Sequence, residues 1–143
     1  MHVGIIGCGN ISETYFECQN LFNNFNVVAC ADINIEAAKN SAEKYNVKAF
    51  SVGDILANDD IDLIINLTIP AAHKEIIVKS LNAGKHCFSE KPLAINFNEG
   101  LEIFELASSK NLYVGCAPDT FLGAAGQKAR SLIADNKIGD VVL

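Results

Sequence analysis

The chain has 143 residues, a length typical of one domain, and half of them are hydrophobic, which argues against a disordered segment. Its formal net charge is -6 and no basic cluster stands out, so neither nucleic acid nor an anionic membrane is an expected partner. No apolar stretch approaches the length of a membrane span, and no secretory leader precedes the first strand-like run. We therefore expect a cytoplasmic protein that can bury one core.

The cysteines are odd in number and no two of them have the Cys-x-x-Cys spacing. They are Cys8, Cys18, Cys30, Cys87 and Cys116. Because three of them lie in or beside apolar strand-like runs, we interpret them as reduced thiols in a cytosolic protein. The histidines do not supply the clustered ligands of a zinc site, so no metal is expected.

The first half of the chain alternates short apolar runs with segments of helical periodicity. Strands are predicted at residues 3–6, 26–32 and 47–50. Helices are predicted over residues 10–22, from Asn34 to Tyr45, and over residues 53–58. Asn34 is the expected cap of the second of these helices.

The same alternation continues through the second half of the chain. Strands are predicted at residues 61–68, 85–90, 112–117 and 140–143. Helices are predicted from Pro70 to just before Gly84, around Phe97, Leu101 and Phe104, and over residues 122–136. Pro70 suits a first helical turn, and Gly84 suits the residue that ends a helix.

This regular alternation predicts an α/β fold whose parallel sheet is covered by helices on both faces. The strands are short, apolar throughout and rich in valine and isoleucine, as in a doubly wound, mostly parallel sheet. We expect a single domain over residues 1–143. Such sheets bind ligands beyond the carboxyl ends of their strands, so the residues that follow each strand are the candidate site.

The first strand end carries the sequence Gly-Cys-Gly-Asn-Ile-Ser at residues 7–12. In a dinucleotide-binding loop the first glycine permits a tight turn and the second lets the backbone approach a pyrophosphate. The third position must be small so that helix and strand pack closely, and here it is Ser12, which weakens the pattern. A plain turn between a strand and a helix explains the two glycines about equally well.

The second strand end carries Asp32, at about the interval from Gly7 that a ribose-binding carboxylate has in these folds. A carboxylate there accepts hydrogen bonds from ribose hydroxyls and repels a 2′-phosphate. The nearest cation in the sequence is Lys39, and no arginine is close. We therefore expect a Rossmann dinucleotide-binding fold with NAD as its cofactor and NADP as the alternative. A cap of a helix or turn is the other role open to Asp32.

A later strand end carries Asn66, Thr68, Pro70 and His73. These residues either face the ligand crevice or form an ordinary strand end, with a proline at a helix start and an exposed histidine in the first turn. The sequence alone leaves both interpretations open.

The next strand end carries Glu90, Lys91 and Pro92. A lysine held there before a proline points towards the crevice, and Pro92 restricts its backbone and permits a cis bond. The alternative is a solvated Lys–Glu turn at the surface.

Five segments together resemble the glucose–fructose oxidoreductase / inositol dehydrogenase / rhizopine-catabolism family. They are GIIGCGNIS at 4–12, ADIN at 31–34, TIPAAH at 68–73, EKPLA at 90–94 and the segment 116–140. The Glu-Lys-Pro element with its upstream Thr-x-Pro-x-x-His is fairly specific to that family, whereas the glycine loop is not. The resemblance covers the whole chain in order and implies a domain of an NAD(P)-dependent dehydrogenase of sugars, polyols or related alcohols.

The resemblance also implies roles for individual residues. It implies that the pyrophosphate is bound by Gly7, Gly9, Asn10 and Ile11, and that the adenosine ribose is bound by Asp32. It implies that the cofactor cleft is lined by Thr68, Pro70 and His73, with Asn66 beside them. Glu90 is expected near the nicotinamide ribose, and Lys91 is expected to be the catalytic lysine that contacts the substrate hydroxyl. The segment 117–123 is expected close to the nicotinamide and substrate.

Members of this family continue into a second domain that carries substrate residues, a catalytic histidine and most of the oligomer interface. The resemblance therefore implies a cofactor-binding half that binds NAD(H), turns over nothing alone, and forms a homo-oligomer only through the second domain. Two alternatives stay open: a module that senses the NADH/NAD ratio, and a relative that uses NAD for enone reduction or redox-assisted glycoside cleavage. Lys91 argues against the sensor, which needs no lysine in the crevice.

Overall fold

A computed structural model describes residues 1–118 and 120–140 of the chain. In this part the strands are His2–Ile6 (β1), Asn26–Ala31 (β2), Lys48–Phe50 (β3), Leu63–Asn66 (β4), His86–Ser89 (β5) and Val114–Cys116 (β6). The helices are Ser12–Cys18 (α1), Ile35–Tyr45 (α2), Val52–Ala57 (α3), Pro70–Asn82 (α4), Phe97–Ser109 (α5) and Ala124–Ala134 (α6). Short 3-10 turns lie at Gln19–Leu21 and Thr120–Leu122.

The strands form one parallel sheet in the order β3-β2-β1-β4-β5-β6. From β1 the chain adds β2 and β3 on one side of the first strand. It then returns to the other side of β1 and adds β4, β5 and β6 there. The predicted doubly wound α/β fold is confirmed. Where the direction changes, between β1 and β4, the connections leave towards opposite faces of the sheet and a crevice opens.

Helices cover both faces of the sheet because alternate side chains of a strand point to opposite sides. Val3 and Ile5 of β1 belong to one buried cluster with Phe16 of α1. Ile6 belongs to a second buried cluster with Ile77 of α4, and this cluster extends to α3 and α5. The two clusters hold β1 from both sides, so the position of the loop that follows it is set by the sheet.

The predicted boundaries of α2 and α4 agree with the structure. Asn34 caps α2, because its side chain accepts a hydrogen bond from the N–H of Glu36 at 3.1 Å. Pro70 is the first residue of α4, and Gly84 follows that helix with a φ of +75°. These are local effects that act within a few residues, which is why the sequence pattern predicts them.

Two helices in the first half of the chain differ from their predicted ranges. The predicted helix over residues 10–22 is divided into α1 and the 3-10 turn Gln19–Leu21. The side chain of Gln19 accepts a hydrogen bond from the N–H of Val27 at 3.2 Å, which ties this turn to β2. α3 begins one residue earlier than predicted because Ser51 caps it, accepting from the N–H of Asp54 at 3.1 Å.

The carboxyl-terminal part of the chain contributes little to the core. α6 corresponds to the predicted helix over residues 122–136 but is two residues shorter at each end, and none of its residues is buried. Of the strand predicted at 140–143, residues 141–143 lie outside the described part. Within residues 1–118 and 120–140, no helix has both the length and the apolar character needed to cross a membrane.

The tight turn after β1 leads to a first prediction. Gly7 has a φ of +103°, and a Cβ atom added to it would lie 2.6 Å from the backbone carbonyl carbon and oxygen of Leu67. Backbone atoms packed in a sheet cannot rotate away as a side chain can. We expect Gly7→Ala to lower the free energy of unfolding by about 3 kcal/mol, measured by urea denaturation followed by circular dichroism.

Gly9→Ala is the matched control for this measurement. No described atom lies within 4 Å of a Cβ added at Gly9. We expect its free energy of unfolding to stay within about 0.5 kcal/mol of the parent chain. An equal loss of stability in both variants would contradict the argument from close backbone approach at Gly7.

Candidate functional site

The loops that follow β1, β2, β4 and β5 meet at one edge of the sheet. Gly7 donates its N–H to the carbonyl of Ala31 at 2.9 Å, and Leu67 donates its N–H to the carbonyl of Ile6 at 2.8 Å. These bonds continue the sheet beyond its strands on both sides of β1. The crevice therefore lies directly above β1, where the glycine loop begins.

The glycine loop is closed by its own serine. Ser12 is only 2% exposed, and its hydroxyl donates to the carbonyl of Gly9 at 2.6 Å. The serine therefore packs as the small third residue and also adds a hydrogen bond that a glycine would lack. Asn10 and Ile11 are exposed just before α1, and no described side chain caps the start of that helix.

Asp32 links the ends of β1 and β2. Its Oδ2 accepts a hydrogen bond from the N–H of Cys8 at 2.7 Å, and its Oδ1 accepts one from the N–H of Asn34 at 2.8 Å. Asn34 is the cap of α2, so Asp32 holds the turn before the helix and not the helix end itself. A carboxylate has about four acceptor positions, so these two bonds leave capacity for a ligand.

A groove of about 530 Å³ runs from the glycine loop to the first turns of α4. Four of the predicted site residues line it: Gly7, Gly9, Asp32 and Thr68. The sequence pattern did not predict the other lining residues in the middle of the groove and on α4, among them Ile33, Val52, Ile69, Glu75 and Lys79.

Ile33 and Ile69 are the most informative of the residues that sequence analysis missed. They are 99% and 70% exposed although both are large and apolar, and both line the same groove. Ligand grooves commonly combine apolar walls with a few polar groups, and these two side chains supply such walls beside Asp32. The sequence does contain an indication of these wall residues. At each of two strand ends an isoleucine follows a polar residue: Ile33 follows Asp32, and Ile69 follows Thr68.

The wall formed by α4 carries an ion pair. Lys79 Nζ lies 2.5 Å from Glu75 Oε1, one helical turn away. Both side chains are more than half exposed, so the pair adds little to stability. Its effect on the groove is electrostatic, because the carboxylate of Glu75 offsets the positive charge of Lys79.

Asn66 is buried behind the groove and bonded on every side. Its Nδ2 donates to the carbonyl of His73 and to the hydroxyl of Ser89, both at 3.2 Å. Its Oδ1 accepts from the N–H of Thr68 at 3.2 Å and from the Thr68 hydroxyl at 2.7 Å. The structure therefore places Asn66 behind the cleft, where it ties β4, β5 and α4 together.

His73 is also buried, with 1% of its surface exposed, so the interpretation as an exposed histidine is wrong. Its Nδ1 lies 2.5 Å from the carbonyl oxygen of Pro92, and its Nε2 lies 2.9 Å from the carbonyl oxygen of Thr68. The ring bridges the chain after β4 and the chain after β5. Like Asn66, it lies behind the surface that sequence analysis expected it to line, while Pro70 is exposed at the start of α4.

Glu90 and Lys91 follow β5 at the same edge of the sheet, and neither lines the groove of about 530 Å³. The Oε1 of Glu90 accepts from the hydroxyl of Tyr15 at 2.8 Å, and its Oε2 accepts from the N–H of Lys91 at 3.0 Å. The Cys116 thiol donates to the Glu90 carbonyl at 3.7 Å, and burial raises the pKa of that thiol. The Lys91–Pro92 peptide bond is cis, and the Lys91 side chain is exposed.

The segment 117–123 follows β6 at the same edge of the sheet. Asp119 lies outside the described residues, and Phe121 and Leu122 are exposed in the 3-10 turn. All five cysteines are free thiols. In residues 1–118 and 120–140, no three His, Cys, Asp or Glu side chains come close enough together to hold a metal ion.

Comparison with known proteins identifies the family. The model of an oxidoreductase family with an NAD-binding Rossmann fold matches residues 1–117. The chain belongs to that family. It is the glucose–fructose oxidoreductase / inositol dehydrogenase / rhizopine-catabolism family, so the family predicted from the sequence is confirmed.

Two curated relatives and one solved structure show how this family member compares with others. The chain is 32% identical over 142 residues to trans-1,2-dihydrobenzene-1,2-diol dehydrogenase of Xenopus tropicalis, covering 96% of the chain and 43% of that protein. It is 33% identical over 115 residues to inositol 2-dehydrogenase of Salmonella typhimurium, covering 78% of the chain and 34% of that protein. The structure of biliverdin reductase from Synechocystis, in complex with biliverdin and NADP+, superposes with a TM-score of 0.88 at 27% identity, covering 98% of the chain and 44% of that protein. The chain thus spans less than half the length of the relatives it matches.

The buried contacts of Asn66 lead to a second prediction. Asn66→Leu keeps the volume but leaves the N–H of Thr68 and the carbonyl of His73 without this partner. We expect it to lower the free energy of unfolding by about 2 kcal/mol, measured by urea denaturation. Asn82→Leu, at the exposed end of α4, is the control and should change it by less than about 0.5 kcal/mol. Equal effects of the two substitutions would show that Asn66 does not hold the crevice together.

Proposed function

We propose that this chain binds NAD(H) in the groove above β1 and is the cofactor-binding half of an oxidoreductase. The proposed reaction transfers a hydride between the cofactor and a sugar, polyol or related alcohol or ketone. The observation that carries the proposal is the groove between the glycine loop, Asp32 and α4, at the change of direction between β1 and β4. The family match adds that this fold binds NAD in related chains.

The glycine loop would hold the pyrophosphate. Gly9 lines the groove, and the space beside its Cα is open, so a phosphate can approach its backbone closely. Asn10 and Ile11 follow as exposed residues before α1, and no described side chain caps the start of that helix, which is the end of a helix that favours an anion. Gly7 supports them by making the turn itself.

Asp32 would hold the adenosine ribose. Its two bonds to Cys8 and Asn34 fix the carboxylate and leave acceptor positions for the ribose hydroxyls. Ile33 and Ile69 line the same groove and offer apolar surface to the adenine ring.

The charges of the groove favour NAD over NADP. The fixed carboxylate of Asp32 repels a 2′-phosphate at the position of the ribose. Lys79 is the cation that the structure adds to the groove wall, and its pairing with Glu75 offsets the charge that would attract such a phosphate.

Calorimetric titration with NADH and with NADPH tests this proposal. We expect saturable binding of NADH to the parent chain and weaker binding of NADPH. Asp32→Asn removes the charge and keeps an oxygen that accepts the N–H of Cys8 or Asn34. We expect it to shift the ratio of the two affinities towards NADPH by about tenfold, which corresponds to about 1.4 kcal/mol.

The control is Asp59→Asn, an exposed carboxylate in the turn before β4, at the opposite end of the sheet. It makes the same change in net charge and should leave the affinity ratio unchanged. An unchanged ratio in Asp32→Asn would remove the argument for NAD. Failure of the parent chain to bind either nucleotide would contradict cofactor binding by this chain alone.

Glu90 and Lys91 would contact the nicotinamide end of the cofactor and the substrate. Tyr15 and the N–H of Lys91 orient the carboxylate of Glu90, so it can accept a hydrogen bond from a ribose hydroxyl. Thr68 lines the groove between the two ends, and Pro70 starts the helix beside it. Asn66 and His73 would act from behind, as positioning residues.

Lys91 is the proposed catalytic residue. NAD supplies the hydride acceptor when it is bound. The proton of the substrate hydroxyl needs a second group, and the exposed ammonium of Lys91 at the end of β5 can hold or exchange that proton.

The substrate class comes from the family and from the names of the relatives. One relative is named for a diol and another for inositol, and both are dehydrogenases. Because the chain spans less than half of their length, we propose that residues 1–143 form the cofactor domain and that a further domain supplies substrate residues and the oligomer interface. On this proposal the isolated chain binds NAD(H) and does not turn over substrate.

Lys91→Met in the full-length protein tests the catalytic assignment. We expect kcat to fall by about a hundredfold or more, because a positioned acid/base contributes that much. The Kd for NADH should change less than about twofold, since the substitution leaves the glycine loop and Asp32 intact. Lys110→Met, on an exposed lysine at the end of α5, is the control and should keep the parent kcat. Near-normal turnover of Lys91→Met would show that another group handles the proton.

A further inference from the structure

Glu90 lies at the carboxyl end of β5, on the other side of β1 from Asp32. In the strand order β3-β2-β1-β4-β5-β6, the strand that leads to Asp32 is on one side of β1 and the strand that leads to Glu90 is on the other. A dinucleotide that lies across the carboxyl ends of such a sheet has one nucleotide on each side. Because Asp32 is the proposed partner of the adenosine half, the nicotinamide half would lie on the side of Glu90.

The carboxylate of Glu90 is held by donors from separate parts of the chain. Its Oε1 accepts from the hydroxyl of Tyr15 in α1 at 2.8 Å, and its Oε2 accepts from the N–H of Lys91 at 3.0 Å. Its backbone N–H donates to the carbonyl of Asn66 in β4 at 2.9 Å. Its own carbonyl accepts from the thiol of Cys116 in β6 at 3.7 Å. These contacts give the charged group a defined position, which a side chain free in solvent lacks.

The negative charge of Glu90 is not offset by a paired cation. The four ion pairs in the described part of the chain join other residues. Lys91 contributes its backbone N–H to the carboxylate, while its side chain is exposed to solvent. Glu90 itself is half-buried, so water screens its charge less than it screens a charge at a fully exposed position.

We propose that Glu90 makes the site prefer the oxidised cofactor to the reduced one, and that Tyr15 is a positioning residue for this effect. The inference rests on the proposed function, which puts the nicotinamide beside Glu90. The nicotinamide ring carries a positive charge in NAD+ and no charge in NADH. A fixed carboxylate beside the ring therefore attracts NAD+ more strongly than NADH.

This effect is separate from the proposed hydrogen bond between Glu90 and a ribose hydroxyl. The ribose is the same in both forms of the cofactor, so that bond does not distinguish them. Asp32 acts at the adenosine half, which is also the same in both forms. Only a charge near the nicotinamide ring changes the ratio of the two affinities. The consequence is a site that is filled preferentially with the form that accepts a hydride, and that retains NADH less strongly.

Calorimetric titration of the chain with NAD+ and with NADH tests the proposal. The measured quantity is the Kd for NADH divided by the Kd for NAD+. A substitution that only disturbs the fold weakens both affinities and leaves this ratio unchanged. Glu90→Gln removes the charge and keeps an oxygen that can accept from Tyr15 or from the N–H of Lys91. We expect it to lower the ratio by about tenfold, because the attraction for NAD+ is lost.

Tyr15→Phe tests the positioning role of the tyrosine. It keeps the ring and removes the hydroxyl, so Glu90 keeps its charge but loses its bond to α1. We expect the ratio to fall by about threefold, in the same direction as in Glu90→Gln. The double variant should have the same ratio as Glu90→Gln alone, because Tyr15 has no charge left to position. Additive effects of the two substitutions would show that Tyr15 acts independently of Glu90.

Glu43→Gln is the matched control. Glu43 is exposed in the last turn of α2, and the substitution makes the same change in net charge. It should leave the ratio unchanged. Circular dichroism establishes that each variant is folded, and where Glu90→Gln does not fold, Tyr15→Phe decides the question by the same ratio.

The possible outcomes separate this proposal from the proposed function. A parent chain that binds both nucleotides, with an unchanged ratio in folded Glu90→Gln, would overturn the proposal and leave cofactor binding intact. An equal fall of the ratio in Glu43→Gln would also overturn it, because the effect would then come from net charge alone. Failure of the parent chain to bind either nucleotide would contradict the proposed function, and with it the preference inferred here.

Discussion

The crevice depends on the close approach of two backbone segments, the turn after β1 and the chain leaving β4. At Gly7 a single added carbon would lie 2.6 Å from the backbone of Leu67, so no side chain separates them. Hydrogen bonds from Gly7 to Ala31 and from Leu67 to Ile6 hold this approach on both sides of β1. Because β1 lies between two well-packed clusters, the loop that follows it cannot shift without disturbing the sheet.

Two carboxylates at strand ends then organise the site. Asp32 accepts the N–H of Cys8 across the glycine loop, and Glu90 accepts both the hydroxyl of Tyr15 and the N–H of Lys91. In each case the bonds that place the carboxylate also place the adjoining loop. At Asp32 the charge of the groove and the shape of its backbone are therefore set by the same contacts, which is how a binding site becomes preorganised.

The elements and several site residues could be predicted because their causes are local. A strand buried on both faces needs an unbroken apolar run, and a turn with positive φ after it favours glycine, as at Gly7. Asn34 caps α2 through a bond to a residue two positions away. The interval from Gly7 to Asp32 corresponds to one strand–helix–strand unit, so the position of Asp32 can also be predicted from the sequence.

The sequence by itself determined the alternation of strands and helices, and hence which residues follow the carboxyl ends of the strands. Only the tertiary structure decided which of those residues face the groove. Asn66 and His73 lie behind it because each also has a long-range partner: Ser89 on the next strand is 23 positions from Asn66, and Pro92 in the loop after that strand is 19 positions from His73. Burial and long-range pairing arise from how the layers of helices and strands pack, and local sequence patterns do not predict that packing.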